Sequence, residues 1–413
     1  MTRVQKAFKY RFYPTEEQKV ALGKTFGSCR YVYNQFLSIR TDYWQLYGIS
    51  TGYNKNSAQL TNIKQMPGLE WLNELSSAVL QQSLRHLDKA YSNFFAKRSD
   101  YPEYKTKGNH QSATFPKTAF SFKDKTLKLA KMPEALDIRW SQDIPKNTEI
   151  TSVTVSKDPS QRYFVSFQCE ADIEAKPEAR GHIGIDLGIT SFASLSTGEK
   201  IESPHAFRKY QKKLATAQRR LAKKQKGSQN RKKANLKVAR IHAKIADIRK
   251  DFINKLSTEL VTKYGSITLE TLDIKEMSSK KQKPNPKKPN MSKRAKTKLN
   301  KSILDQGWGE FARQIEYKAQ WNNRTLIKVP KHYASSKICS VCGHKLKKLD
   351  LSIRHWQCPT CSTKHDRDHN AALNLVAAGM AVSACGERVR LQSRIPSGGR
   401  LRSVNQESTC FSG

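Results

Sequence analysis

No apolar run in this chain approaches the ~18 residues that a membrane-spanning helix needs. The opening Met1-Thr-Arg-Val-Gln-Lys leads into polar sequence and lacks the apolar core of a secretory signal. Disulfide chemistry is equally absent as a framework: Cys29, Cys169, Cys385 and Cys410 stand singly, so a reducing, intracellular and hence cytoplasmic setting is expected. Acid is the scarcest commodity. Only 35 Asp and Glu face 75 Lys and Arg, a net charge of +40 over 413 residues. Self-repulsion of that size destabilises a compact state, and a polyanion relieves it by exchanging its condensed counterions for protein cations. Nucleic acid is therefore the expected partner, ahead of a membrane surface. With 37% hydrophobic residues the chain can still bury real cores, and its length suggests roughly two to four domains.

Residues 3–13 alternate basic and apolar side chains in the manner of a strand. Pro14-Thr15-Glu16-Glu17-Gln18 then opens a helix, with Thr15 at the cap and Gln18 at the capping-box position. Leu22, Phe26, Cys29, Val32, Tyr33, Phe36 and Leu37 continue at helical spacing, and Val79 to Phe95 repeat the pattern. From 112 to 170 short alternating runs predict strands, so the first 175 residues read as a β-rich module interrupted by helices. Their Phe and Tyr residues are assigned to a core rather than to base stacking. A polar linker over 171–182 precedes Ile183-Gly-Ile-Asp186-Leu-Gly188, a strand ending in a carboxylate and a glycine turn, with Ser191–Ser196 as its return strand. Between Ser203 and Ala246 there are 15 Lys or Arg and no acid; long helices carrying a nucleic-acid-binding face are predicted there. Ser266–Leu272 reads as a buried strand bearing Glu270. Residues 278–301, with ten cations and no acid, are expected to be a flexible basic loop. Leu304, Trp308, Phe311 and Ile315 mark one amphipathic helix, Leu326–Pro330 a further strand, and everything after Leu375 a disordered tail.

Two Cys-x-x-Cys pairs, Cys339/Cys342 and Cys358/Cys361, are separated by 15 residues. Paired thiolates at that spacing clip onto a tetrahedral ion, and four of them leave no open position, so a structural Zn²⁺ is predicted. His344, His355 and His365 lie nearby but exceed the coordination, and are assigned to the surface or to phosphate contact. Asp186, Glu270 and Asp368 stand out as carboxylates that end strands or open a helix. Acids gathered in so basic a protein fit divalent cations, Mg²⁺ or Mn²⁺, held by oxygen ligands. By spacing alone Asp366, Asp273 and Asp305 are equally eligible.

The order Gly-Ile-Asp186-Leu-Gly, Leu-Glu270, two Cys-x-x-Cys pairs, then Asp368-His-Asn-Ala-Ala-Leu-Asn resembles the TnpB family of transposon-encoded RNA-guided nucleases, considered ancestral to type V CRISPR effectors. Lys9-Tyr-Arg-Phe-Tyr-Pro14, Phe26–Asn34, Tyr101-Pro-Glu-Tyr-Lys105 and Trp308-Gly-Glu-Phe311 resemble it too, so the likeness runs from residue 3 to about 376. The resemblance implies a multidomain α/β architecture. A wedge-type β-barrel (1–14 and 112–175) would carry a helical recognition insertion (15–111). An RNase H-like RuvC nuclease domain (181–338 and 362–376) would be interrupted by the zinc-binding module (339–361) and followed by the tail (377–413). It further implies Asp186, Glu270 and Asp368 as catalytic and Mg²⁺-binding residues, with Asp366 the lesser candidate. The implied partners are a guide RNA from the transposon end and double-stranded target DNA, cut beside a short motif, with sequence read largely by base pairing. Two other functions remain open at this point: a non-catalytic nucleic-acid-binding regulator of transposition, and a DNA-joining transposase.

Overall fold

The computed structural model describes residues 2–145, 148–173, 177, 179–279, 292–331 and 333–384. The chain begins with β1 (Thr2–Phe12), α1 (Glu16–Tyr47), α2 (Tyr53–Ile63) and α3 (Ser77–Phe95). It continues through β2 (Gln111–Pro116), β3 (Phe120–Lys123), β4 (Thr126–Leu129), β5 (Ile138–Arg139), β6 (Glu149–Lys157) and β7 (Tyr163–Ile173). Strands β2-β6-β7-β1-β5 form one antiparallel sheet. Alternation sets its buried face: Phe8 pairs with Phe167, Tyr10 with Val165 and Phe12 with Tyr163, all buried, while the intervening Lys9 and Arg11 lie over the Phe164 ring on the other side. These aromatics are core, packed with Leu22, Phe26 and Cys29 of α1. The Thr15–Gln18 capping box is formed, at 3.3 and 3.2 Å. Among the described residues no ladder joins β2 to β5, so the pairings alone give an open sheet rather than a closed barrel.

The second half contains β8 (His182–Leu187), β9 (Ala193–Leu195), β10 (Lys200–Ile201), α4 (Ala206–Ala222), α5 (Gln229–Lys263), β11 (Ser266–Glu270) and α6 (Ile274–Met277). It ends with α7 (Lys293–Gln306), α8 (Trp308–Trp321), β12 (Thr325–Val329), β13 (His355–Gln357), β14 (Lys364–Asp366) and α9 (Arg367–Ala384). A mixed sheet of order β10-β9-β8-β11-β12 keeps β8, β11 and β12 parallel and β9 and β10 antiparallel. Its two faces are covered by different helices. Ile183, Ile185, Ile267 and Leu269 turn to α5 and α8, meeting Ile253, Leu256, Phe311 and Ile315. The alternate residues, Gly184 and Thr268, turn to α9. A Cβ on Gly184 would meet the Ala372 carbonyl at 2.1 Å, and one on Gly379 the Thr268 hydroxyl at 2.1 Å. Glycine at both points lets helix and sheet approach this closely.

Four expectations need correction. The amphipathic run Leu304–Ile315 is two helices, because Gly307 adopts φ +76° and ends α7 before Trp308 starts α8; Leu304 is consequently exposed. The expected basic loop is helical from Lys293 onward, while residues 280–291 lie outside the described ones. Finally α9 runs on to Ala384, past the boundary placed at 376, and residues 385–413 lie outside the described ones. β7 likewise extends to Ile173, into the predicted linker. Among the described residues no helix is long and apolar enough to cross a membrane.

Candidate active site and metal centre

Register decides which acids can meet. Ile185 pairs with Leu269 across the parallel β8/β11 ladder, so Asp186 and Glu270 occupy the next row, side by side at the carboxyl ends of their strands. One step beyond Gly184 and Thr268 respectively in the two-residue pleat, both side chains emerge on the face that α9 covers. That helix lies with Ala372 over Gly184 and Gly379 over Thr268. Because Gly184 and Thr268 are themselves paired, α9 crosses these two strands at one row, and Asp368 in its first turn lies near enough to Asp186 for its charge to act on that carboxyl.

The electrostatics agree with the topology. Burial first, and then the charges of Asp368 and Glu270, push the Asp186 carboxyl up to about 7, against the pull of Arg367 and Arg354. Burial also raises Glu270 above the usual carboxylate range. Like charges held together in a partly desolvated site are costly until a cation neutralises them. The trio is open rather than closed: among the described residues, only the four cysteines form a group of three or more candidate ligands whose donor atoms all lie within 4.8 Å. Asp368 meets Arg354 Nη1 at 3.5 Å.

The rival acids are already employed. Asp366 Oδ1 accepts the N–H groups of Asp368 (3.1 Å) and His369 (3.0 Å), capping α9, and its Oδ2 meets Lys200 at 2.8 Å. Burial opposes its ionisation, yet Lys200 and those N–H groups hold it below the usual carboxylate range. Asp305 accepts the N–H groups of Phe207 and Arg208 at the start of α4 and pairs with Arg249 at 3.0 Å. Asp273 accepts the Glu276 N–H at 2.9 Å, capping α6.

The cysteines form two matching turns. Gly343 N donates to the Cys339 carbonyl and Ser362 N to the Cys358 carbonyl, each at 2.9 Å. Gly343 (φ +75°) and Ser362 (φ +57°) take the left-handed conformation that curls each turn around its thiols. Cys339 and Cys361 Sγ lie 3.6 Å apart, as do Cys342 and Cys358 Sγ. Tetrahedral Zn–S bonds of about 2.3 Å place sulfurs about 3.8 Å apart, so the donor set fits a metal ion such as zinc. His365 is not a surface residue: it is buried, its ring tilted against Trp356 at 4.6 Å, with Nε2 3.0 Å from Cys339 Sγ. In the tautomer that carries the proton on Nε2, it would donate to that sulfur and support it as a ligand from outside the donor set.

Two asparagines absent from the sequence-based site join the two centres. Asn370 Oδ1 accepts the Ser340 N–H (3.0 Å) and its Nδ2 donates to the Ile338 carbonyl (2.7 Å). Asn374, one turn on, donates to the Ser335 and Ile338 carbonyls, both at 2.7 Å. Both amides are buried. Their four-residue spacing on the helix that carries Asp368 was the available signal. They pin the first cysteine turn to α9.

Three family models match the chain: "Probable transposase" (OrfB_IS605) over residues 153–281, the "Cas12f1-like, TNB domain" over 308–375, and a "Helix-turn-helix domain" over 1–48. The last description does not fit the observed strand followed by a single long helix. A Streptomyces pristinaespiralis protein named "Putative RNA-guided DNA endonuclease" is 46% identical over 408 residues, 98% of this chain and 97% of that one. InsQ of Escherichia coli K12, similarly named, is 34% identical over 94% of this chain and 96% of its own length. A solved Cas12f1-sgRNA-target DNA complex overlaps 90% of this chain and 99% of that protein at 18% identity, with a TM-score of 0.32, too low to carry an argument.

Proposed function

The chain belongs to the TnpB family, and on that premise we propose that it is a transposon-encoded, RNA-guided, metal-dependent DNA endonuclease that cuts guide-matched DNA beside a short flanking motif. The observation that carries this reading is the row shared by Asp186 and Glu270 on the face that α9 covers, with the charge of Asp368 acting on Asp186. A buried Asp186 raised further by the charges of Asp368 and Glu270, in a chain of net charge +40, is suited to divalent cations and a polyanionic substrate. The strand order β10-β9-β8-β11-β12 supports an RNase H-like, RuvC-type domain over 181–338 and 362–376, with the zinc-binding module over 339–361 inserted between its last two catalytic segments. The helices between β1 and β2 support a recognition insertion over 15–111 within a wedge module.

When bound, two Mg²⁺ or Mn²⁺ ions about 4 Å apart would supply an activated water and stabilise the leaving oxygen of a phosphodiester. Asp186, Glu270 and Asp368 would hold them; a pair of ions needs outer ligands further apart than one ion does, in keeping with the open spacing of the trio. Cys339, Cys342, Cys358 and Cys361 would hold Zn²⁺, and Asn370 and Asn374 would transmit the rigidity of that module to Asp368. The basic hairpin of α4 and α5 encloses a groove of about 970 Å³ bordered by Lys213, Arg220, Lys237, Arg240 and Lys244. It would bind nucleic-acid backbone, with the guide RNA from the transposon end and the target DNA as the ligands.

The test is cleavage of guide-matched double-stranded DNA, bearing a randomised flank, by protein co-purified with its transposon-end RNA in Mg²⁺. Matched targets with one enriched flank should be cut, and Asp186→Ala should bind RNA normally and cut nothing. Tight RNA binding without cleavage would overturn the nuclease reading in favour of a regulator, and strand-transfer products would favour a joining transposase.

A further inference from the structure

A second set of cations lies on a different side of α4 from the hairpin groove. Arg294, Lys298 and Lys301 follow one another at helical spacing along α7, with Lys293 beside them, and Arg208 faces them from α4. Together they border a cleft of about 800 Å³ floored by Ile189, Asp305 and Gln306. None of the five pairs with an acid among the described residues. Lysines of the N-terminal module behave differently, as Lys19, Lys24, Lys117 and Lys125 each meet a carboxylate. The one acid in the cleft, Asp305, is buried and already committed to Arg249 and to the start of α4. The field in the cleft is therefore positive and uncompensated. Holding five like charges around one concavity is unfavourable unless an anion fills it.

The position of the cleft identifies that anion. Gln306 Nε2 donates to the Ile189 carbonyl at 3.0 Å, tying the cleft floor to the loop that follows Asp186. A chain of phosphates lying along α7 thus reaches the end of β8, where the carboxylates stand. Only the strand undergoing hydrolysis has to pass that point; a guide strand has no such requirement.

We propose that Arg208, Lys293, Arg294, Lys298 and Lys301 form a subsite for the phosphodiester backbone of the single DNA strand that is being cut, delivering it to the carboxylate site. This rests on the nuclease reading above. The contacts are to phosphate, so they are independent of base sequence.

The experiment compares full-length RNA-loaded wild type with the triple variant Arg294→Gln/Lys298→Gln/Lys301→Gln, all three side chains being exposed. Three quantities are read: guide RNA retained per protein, single-turnover cleavage of matched duplex at saturating protein, and anisotropy of a fluorescent oligo(dT) strand with both proteins in the Asp186→Ala background. RNA retention should stay within about twofold, while cleavage and oligo(dT) affinity each fall about tenfold or more. The log–log salt slope of oligo(dT) binding should shrink by about 2, the share of three single-strand phosphate contacts. Unchanged cleavage, affinity and slope would overturn the proposal and leave a solvated helix face. Loss of guide RNA in parallel with cleavage would also overturn it, by assigning the cleft to RNA. A wild type that retains RNA and binds target but cuts nothing marks failure of the nuclease reading instead.

Discussion

Replacing Asp186 by Asn should stabilise the metal-free protein, increasingly as pH rises from about 4 to about 7 and fully above that. The ordinary carboxylate value is 3.8, whereas burial together with Asp368 and Glu270 pushes Asp186 up to about 7. Between those values the folded chain holds a proton that the unfolded chain has lost. Stability from this group therefore falls as pH rises through the window from about 4 to about 7, and the penalty is complete above it. At 1.36 kcal/mol per pH unit the interval corresponds to on the order of 4 kcal/mol. Solvent relaxation and the remaining Glu270–Asp368 pair reduce what the substitution recovers, so a gain of about 1–4 kcal/mol is expected at pH 8.5, roughly a third of that at pH 5 and almost none at pH 3. Urea midpoints of wild type and Asp186→Asn across that range measure it directly, in magnesium-free buffer without a chelator that would strip the cysteine site. Added Mg²⁺ should then stabilise wild type and not the variant, with an apparent affinity that weakens below pH 7 as protons compete. Parallel curves for the two proteins across the whole pH range would refute the reasoning, because the three carboxylates could not then share a field.

Gly184→Ala should lift α9 from the sheet, since its Cβ would meet the Ala372 carbonyl at 2.1 Å; a loss of about 1–3 kcal/mol in thermal or urea unfolding should accompany loss of Mg²⁺-dependent cleavage. Asn374→Ala removes a donor from the Ser335 and Ile338 carbonyls, leaving Ile338 to Asn370 and Ser335 with only a long contact, which should cost about 1–2 kcal/mol and accelerate zinc release measured with a colorimetric chelator. Cys358→Ser should lower zinc below one per chain by elemental analysis, and a full complement of zinc in that variant would remove Cys358 from the ligand set. Neutralising Lys213, Arg220, Lys237 and Arg240 together should weaken RNA binding and flatten its log–log salt dependence by about 3–4, a slope read by filter binding at several salt concentrations.

Much of the architecture is legible because it rests on local rules. The alternation of β1 names its buried residues, and Thr15 and Gln18 announce the start of α1 from four letters of sequence. The cysteine spacing likewise identifies a metal-binding turn pair before any coordinates are known. What a single sequence does not contain is register. Asp186 and Glu270 are far apart in the chain, and only the Ile185–Leu269 pairing puts them in one row. The choice between Asp366 and Asp368 depends on a cap: the acid just before α9 spends one oxygen on backbone N–H groups and the other on Lys200, while Asp368 meets only Arg354 at 3.5 Å and acts on Asp186. The break at Gly307 is hidden for a related reason, as apolar spacing continues across it while its backbone conformation does not.

The same distinction explains the segment Asp368-His-Asn-Ala-Ala-Leu-Asn. One helix must carry an acid in its first turn, lie against the sheet closely enough to aim it, and hold the cysteine module beside it. Ala371 and Ala372 are small and buried where Gly184 approaches. Asn370 and Asn374 supply amides on the side of the cysteine turn, and Asp368 remains at the sheet end. Asp368, Asn370, Ala371, Ala372 and Asn374 each answer one of these demands, so changing any of them should move either the acid or the module that braces it. The cysteine turn is then coupled to the carboxylate segment by geometry, through a helix packed closely on the sheet at Gly184 and Thr268.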